Sequence, residues 1–144
     1  MHPWDSFEVY AFSPVALVRR VLNCLVISSC CRMILVALLW PHEEWYADLL
    51  SLLVAQPLGL PQWPRLLKQP LCSKFHTGVR VLNLHAWMLS SELSEQRGFR
   101  EGLRQKSHTR SGDPRLGSTS PSGRSSVVGV VEGVSIRSQP LFRR

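Results

Sequence analysis

Residues 7–39 set the strongest constraint on the fold. Phe7–Phe12 is rich in aromatic and β-branched residues and reads as a strand. Ser13-Pro14 follows, with Ser13 the expected N-cap and Pro14 the first helical residue. Proline suits that position because it has no amide hydrogen to leave unpaired. Val18, Val21, Leu22, Leu25 and Val26 then recur at the spacing of one buried helical face, which predicts a helix to about Ile27. Arg19, Arg20 and Asn23 lie off that stripe, and Ser28-Ser29 ends it. Met33–Leu39 is a continuous apolar run without alternation, too short for most helices. It predicts a strand buried on both faces, as in a parallel sheet. Strand, helix and strand within about thirty residues make one βαβ unit.

The pattern weakens downstream. Trp40-Pro41 closes the second strand, and Glu43 and Glu44 fall in the first turn of a second helix, where the macrodipole favours acids. Trp45, Leu49, Leu52 and Leu53 form its apolar stripe, and it ends near Gln56-Pro57. Four prolines (Pro57, Pro61, Pro64, Pro70) make the next stretch extended or turn-rich. Val79–Trp87 is a third strand with weak alternation. Ser90-Ser91, Glu92 and Glu95 start a polar helix to about Gln105, made marginal by Gly98 and Gly102. Fourteen of the twenty residues in Ser107–Ser126 are Gly, Pro, Ser or Thr, too little apolar surface to offset the entropy of ordering. Val127–Ile136 is a Val/Gly run that needs a partner to pair as a strand. The expected fold is therefore α/β. A partial, truncated parallel sheet with flanking helices occupies 1–89, the polar helix 90–106, and a disordered basic Ser/Gly/Pro-rich linker 107–144.

Charge divides the chain at nearly the same place. Up to residue 95, seven Lys/Arg balance seven Asp/Glu; residues 96–144 carry ten Lys/Arg and three acids, so the whole net charge of +7 lies there. Arg97, Arg100, Arg104, Lys106, Arg110 and Arg115 are the candidates for nonspecific nucleic-acid contact through screened attraction to phosphates. Only Phe99 and Phe142 are interleaved with these cations, which disfavours a single-strand stacking platform.

Other classes fit less well. Cys24, Cys30, Cys31 and Cys72 lie among apolar neighbours and form no C-x-x-C pair. No basic n-region with a following apolar stretch opens the chain, so reduced thiols in the cytoplasm or nucleus are expected. Cys72 and His76 have ligand-like spacing, but two ligands do not make a zinc site. Val21–Trp40 contains one charge, Arg32, in twenty residues, and a single-pass membrane protein spanning 21–40 is the competing reading. Arg32 near mid-membrane would cost roughly 2.5–3.5 kcal/mol. The one-sided stripe of 18–26 also describes a globular helix. His85 and the tryptophans Trp40, Trp45 and Trp87 are read as core residues.

The order of these elements resembles the C-terminal half of phage-type DNA adenine methyltransferases. It is more closely similar to the degenerate version found between the RNase H and tyrosine recombinase regions of DIRS-type retroelement polyproteins. The N-terminal residues that carry the resemblance are His2-Pro3-Trp4, Tyr10-Ala11-Phe12-Ser13-Pro14 and Leu17-Val18-Arg19-Arg20-Val21-Leu22-Asn23. Met33-Ile34-Leu35-Val36-Ala37, Leu39-Trp40-Pro41 and Glu44-Trp45-Tyr46-Ala47-Asp48-Leu49-Leu50 follow. Leu82-Asn83-Leu84-His85-Ala86-Trp87, Gly112-Asp113-Pro114 and Gly129-Val130-Val131-Glu132-Gly133-Val134 extend it over nearly the whole chain.

The resemblance implies a retrotransposon-derived fragment that has lost its chemistry. In the family, an Asn/Asp-Pro-Pro-Tyr/Phe loop accepts hydrogen bonds from the target amino group and stacks on the flipped base. Here that loop corresponds to Phe12, Ser13, Pro14 and Val15. Phe12 has no acceptor, Val15 has no π-face, and only Pro14 is kept. The family's cofactor-binding strand lies upstream of the matching segment. After Trp87 there is no tyrosine to act as a recombinase nucleophile. The expectation is no catalytic residue, no cofactor, no metal and no small-molecule substrate. Nonspecific nucleic-acid contact is the remaining partner class, and an exposed sheet edge should make the free chain poorly soluble.

Overall fold

The computed structural model describes residues 4–63, 65, 67, 74, 82–109 and 126–141. Strand β1 (Glu8–Phe12) leads into helix α1 (Val15–Ile27) and strand β2 (Arg32–Leu38). Helix α2 (Trp45–Ser51) and the two-residue strand β3 (Leu58–Gly59) follow, then β4 (Leu84–Ser90) and helix α3 (Leu93–Thr109). The chain ends in β5 (Val127–Val131), β6 (Val134–Arg137) and β7 (Gln139–Pro140). Five strands form one sheet in the order β1-β2-β4-β3-β7, and β5 and β6 form a separate hairpin.

The βαβ unit is present: β1 and β2 pair in parallel, with Glu8 opposite Arg32 and Phe12 opposite Val36. The wholly parallel sheet is not. β4 pairs antiparallel with β2 along its full length, from Arg32–Ser90 to Leu38–Leu84, and antiparallel with β3. Strands β1, β2, β3 and β7 thus share one direction and β4 alone opposes them. Backbone hydrogen bonds trace how β4 enters the sheet. After α2, the Ser90 amide donates to the Leu52 carbonyl and the Val54 amide to the Met88 carbonyl. The chain therefore starts toward β3 beside the end of β4 that faces the beginning of β2. It leaves β3 at the other end, where the Leu39 amide donates to the Asn83 carbonyl at 3.1 Å. β4 runs back from there, inserted between β2 and β3.

Several boundaries differ from the expectation. Pro14, not Ser13, is the N-cap: its ψ of 146° is extended, and the Leu17 amide donates to its carbonyl at 2.8 Å. The third strand starts at Leu84, after a corner at Asn83 with φ of 43°; Val79–Val81 lie outside the described residues. Helix α2 ends at Ser51 with Glu44 as N-cap, so Leu52 and Leu53 are buried beyond its end. Strand β2 is not covered on both faces, since Ile34 is 42% exposed while Met33, Leu35 and Ala37 are buried. Trp40 is also exposed, unlike the buried Trp45 and Trp87.

One core joins the elements. Val18, Leu22 and Leu25 of α1 pack with Met33 and Leu35 of β2, Leu49 and Leu53 after β2, and Trp87 and Leu89 of β4. Val26, expected on the same stripe, is exposed, and Val21 is half-buried. Each fully buried aliphatic side chain here contributes about 1.5–3 kcal/mol of transfer free energy. Val128, Val134 and Ile136 belong to the same core. Residues 126–141 form a hairpin plus an edge strand, so the Val-rich run of the 107–144 stretch has the strand partner it needs. Residues 110–125 and 142–144 lie outside the described residues. Glu132 and Gly133, with φ of 49° and 77°, make the two-residue turn, as tight hairpins with two positive φ values require. The helix expected over 90–106 runs from Leu93 to Thr109. Leu103 is buried, and the buried Gln96 side chain donates to the Ser90 carbonyl at 2.8 Å.

Candidate functional site

Phe12, Ser13, Pro14 and Val15 stand at the carboxyl end of β1, where the chain turns into α1. Open α/β sheets bind ligands at the carboxyl ends of their parallel strands. A cavity of 170 Å³ lies there, lined by all four of these residues together with Val36, Leu38, Trp45 and Leu84 among others. Its composition decides what chemistry it can hold. Phe12 is 53% exposed and offers only a hydrocarbon face. Ser13 supplies the one side-chain hydroxyl among the described lining residues. A target amino group would find no carboxamide or carboxylate acceptor in this lining, and Val15 offers no ring for a base to stack on.

Nearby polar groups serve the fold. His85 is buried, and its Nδ1–H donates to the Asn83 carbonyl at 3.1 Å, at the corner that starts β4. Burial pulls the imidazole below its ordinary range, partly offset by that hydrogen bond, so the ring is neutral near pH 7. The ring lies 5.7 Å from that of Trp87, whose indole N–H donates to the Ala37 carbonyl. Tyr46 is buried with its phenol pushed up to about 12 by desolvation, and the hydroxyl donates to the Val128 carbonyl at 2.6 Å. These groups are tied into the packing of β2, β4 and the hairpin.

The basic candidates separate into two kinds. Arg97 and Lys106 are exposed on α3. Arg100 is not free to meet a phosphate: its guanidinium lies 3.2 Å from Glu132, and its side chain is only 13% exposed. Arg104 also reaches Glu132, at 3.8 Å, and Glu101, at 3.9 Å, and donates to the Glu132 carbonyl. Glu132 sits at the tip of the β5–β6 turn, so two of the six cations bind the hairpin to α3. Sequence spacing gives no sign of this, because Arg100 and Glu132 are thirty-two positions apart. Arg110 and Arg115 lie outside the described residues, as do Cys72 and His76.

A second cleft, of 290 Å³, opens at the amino end of β1 and β2 and is absent from the sequence reading. Ser6, Phe7, Glu8, Cys30, Arg32, Ser90, Glu92 and Glu95 line it. Arg32 pairs with Glu95, which lowers the carboxyl and raises the guanidinium. Cys30, at φ of 51°, is held above the ordinary thiol range by its hydrogen bond to Glu92 and by that residue's charge. A thiol raised in this way is a poor nucleophile. Among the described residues no group of three or more His, Cys, Asp or Glu has the arrangement of a metal site. No helix among them is long and apolar enough to cross a membrane; segment 21–40 is divided between α1, a turn and β2. In comparisons with known proteins, no family model, no curated protein and no solved structure matches the chain.

Proposed function

We propose that this chain is a retroelement-derived, methyltransferase-like module that no longer transfers methyl groups and whose remaining activity is weak, nonspecific contact with nucleic acid. The observation that carries the first half is the Phe12-Ser13-Pro14-Val15 turn. It occupies a strand end where such a loop would act, and among the described residues lining its cavity the Ser13 hydroxyl is present but no side-chain carboxamide or carboxylate acceptor. The second half rests on the charge excess of residues 96–144 and on the exposure of Arg97 and Lys106. Arg100 and Arg104 are reassigned to holding the hairpin.

Transfer of label from methyl-labelled S-adenosylmethionine to adenine-containing DNA tests the first half. The expected result is incorporation no higher than without protein; incorporation that depends on the chain overturns it. Duplex binding by fluorescence anisotropy across a salt series tests the second. Arg97→Ala and Lys106→Ala should each reduce the log–log salt slope by about 1 if the side chain meets a phosphate. Salt-independent binding, or slopes unchanged in both variants, overturns that assignment.

A further inference from the structure

Arg97, Arg100 and Arg104 share one flank of α3. At 3.6 residues per turn they fall within about 60° of one another and span about 10 Å along the axis. Lys106 stands about 180° from Arg97, on the opposite flank. A row of guanidinium groups suits the phosphates of a nucleic-acid backbone, each of which a guanidinium can grip with two N–H groups. One anion already lies on this row. Glu132 places one carboxylate oxygen 3.2 Å from Arg100 and the other 3.8 Å from Arg104, and its carbonyl accepts from Arg104 at 3.3 Å. Two observations set this contact apart from an ordinary surface ion pair. The first is the residue at the turn. Glu132 and Gly133 are the central pair of a two-residue hairpin loop, with φ of 49° and 77°. Such a loop favours Asn-Gly or Asp-Gly, and glutamate is disfavoured at the left-handed torsion. The turn thus carries a residue its backbone does not favour, and that residue's carboxylate is the one on the arginines. Residues kept against backbone preference point to a role. The second is that Arg100 has a further anchor besides Glu132. Its Nε–H donates to the Gln96 carbonyl at 3.3 Å, and its side chain is 13% exposed, whereas that of Glu132 is 61% exposed. The acid can leave while the guanidinium stays.

We infer that Arg97, Arg100 and Arg104 form a phosphate-binding stripe for duplex nucleic acid, and that Glu132 closes it in the unbound chain as an intramolecular competitor. A backbone phosphate takes the place of the carboxylate. The contacts of Glu132 with Arg100 and Arg104 break, while Val128, Val134 and Ile136 keep the hairpin seated in the core. Partly exposed ion pairs are individually weak, so a phosphate held by two guanidinium groups can displace this one. The inference rests on the nucleic-acid contact proposed above and adds its regulation: the contact is weak because the chain's own acid occupies the best part of the basic face.

Fluorescence anisotropy of the full chain with duplex DNA at low salt tests this. Glu132→Gln removes the charge at constant length, and Glu132→Asn removes it with a residue that suits the turn. Both should bind the duplex about fivefold tighter than the wild type or more. Their circular dichroism spectra should be unchanged, and Glu132→Asn should keep its urea midpoint. Adding Arg100→Gln to Glu132→Asn should abolish the gain. Arg100→Gln alone should change affinity by less than about twofold, because it removes a phosphate ligand and the hold of its competitor together. A wild type that binds through Arg97 and Lys106, with affinity unchanged in both Glu132 variants, overturns the competitor and leaves the proposed contact standing. A gain that survives Arg100→Gln reports general charge and also overturns it, as does a gain confined to a variant with a lowered midpoint, which reports a loosened hairpin. An equal gain toward polyglutamate assigns the stripe to acidic protein and overturns the duplex as its ligand. Absence of binding by the wild type and both variants overturns the nucleic-acid contact and the stripe together.

Discussion

The N-terminal βαβ unit and the C-terminal hairpin fill one core by opposite means. In residues 8–38 the strands are neighbours in sequence, the helix between them buries Val18, Leu22 and Leu25, and the pieces specify each other locally. The hairpin of β5 and β6 has short Val-rich strands that cannot make a core alone. It is held by Val128, Val134 and Ile136 against the core, by the Tyr46 hydroxyl on the Val128 carbonyl, and by Arg100 on Glu132. Its fit is close: a Cβ on Gly129 would lie 2.4 Å from Leu50 Cδ1. Local pattern builds the first region, and long-range contacts recruit the second.

Trp87 joins the two regions, because it is fully buried in β4, bonds to Ala37 of β2 and meets the edge of Tyr46. Trp87→Ala should cost about 3–5 kcal/mol and destabilise both regions together, read as a lower urea midpoint by circular dichroism. Ile136→Ala, at a site 1% exposed, should cost about 2–5 kcal/mol. Hydrogen exchange should then quicken in 126–141 and along α3 while β1 and β2 keep their protection. Equal loss of protection in β1 and β2 would mean the regions unfold as one unit, and the contrast between them would fail.

Tyr46→Phe leaves the Val128 carbonyl buried without its donor and should cost about 1–3 kcal/mol. The same phenol makes stability depend on alkaline pH. Its ordinary value is 10.0 and its folded value about 12. Between those values the unfolded chain loses the proton and the folded chain keeps it, so stability falls as pH rises from about 10 to about 12. Tyr46→Phe should flatten that part of the denaturation profile. Glu132→Gln is the smallest test. Its partners are partly exposed, so the loss should be no more than about 1 kcal/mol, and a double-mutant cycle with Arg100→Gln should recover most of it.

Much of the N-terminal half was legible because its signals repeat at short range. The spacing of Val18, Leu22 and Leu25, the proline at 14 and the apolar run at 33–38 each constrain only their neighbours. The candidate loop at 12–15 was legible for the same reason, and its position at a strand end followed from it. The antiparallel insertion of β4 was not legible. Leu84–Ser90 has a strand's composition, but nothing in it says which side of β2 it takes or in which direction. The arginines misled for a related reason: on a list of charges Arg100 and Arg97 are alike, and only the hairpin turn separates them.

By itself, the sequence determined which segments of the first half are helix and strand, that the chain is α/β, and which functional groups stand at residues 12–15. These depend on side-chain periodicity, backbone torsion and functional groups, all written in adjacent residues. The tertiary structure alone decided the direction of β4, the recruitment of 126–141 into the core, the loss of Arg100 from the exposed cations, and the strand order of the sheet. Each of those is a choice among partners far apart in the chain. The buried area and paired polar groups that settle such a choice exist only once the partners have met.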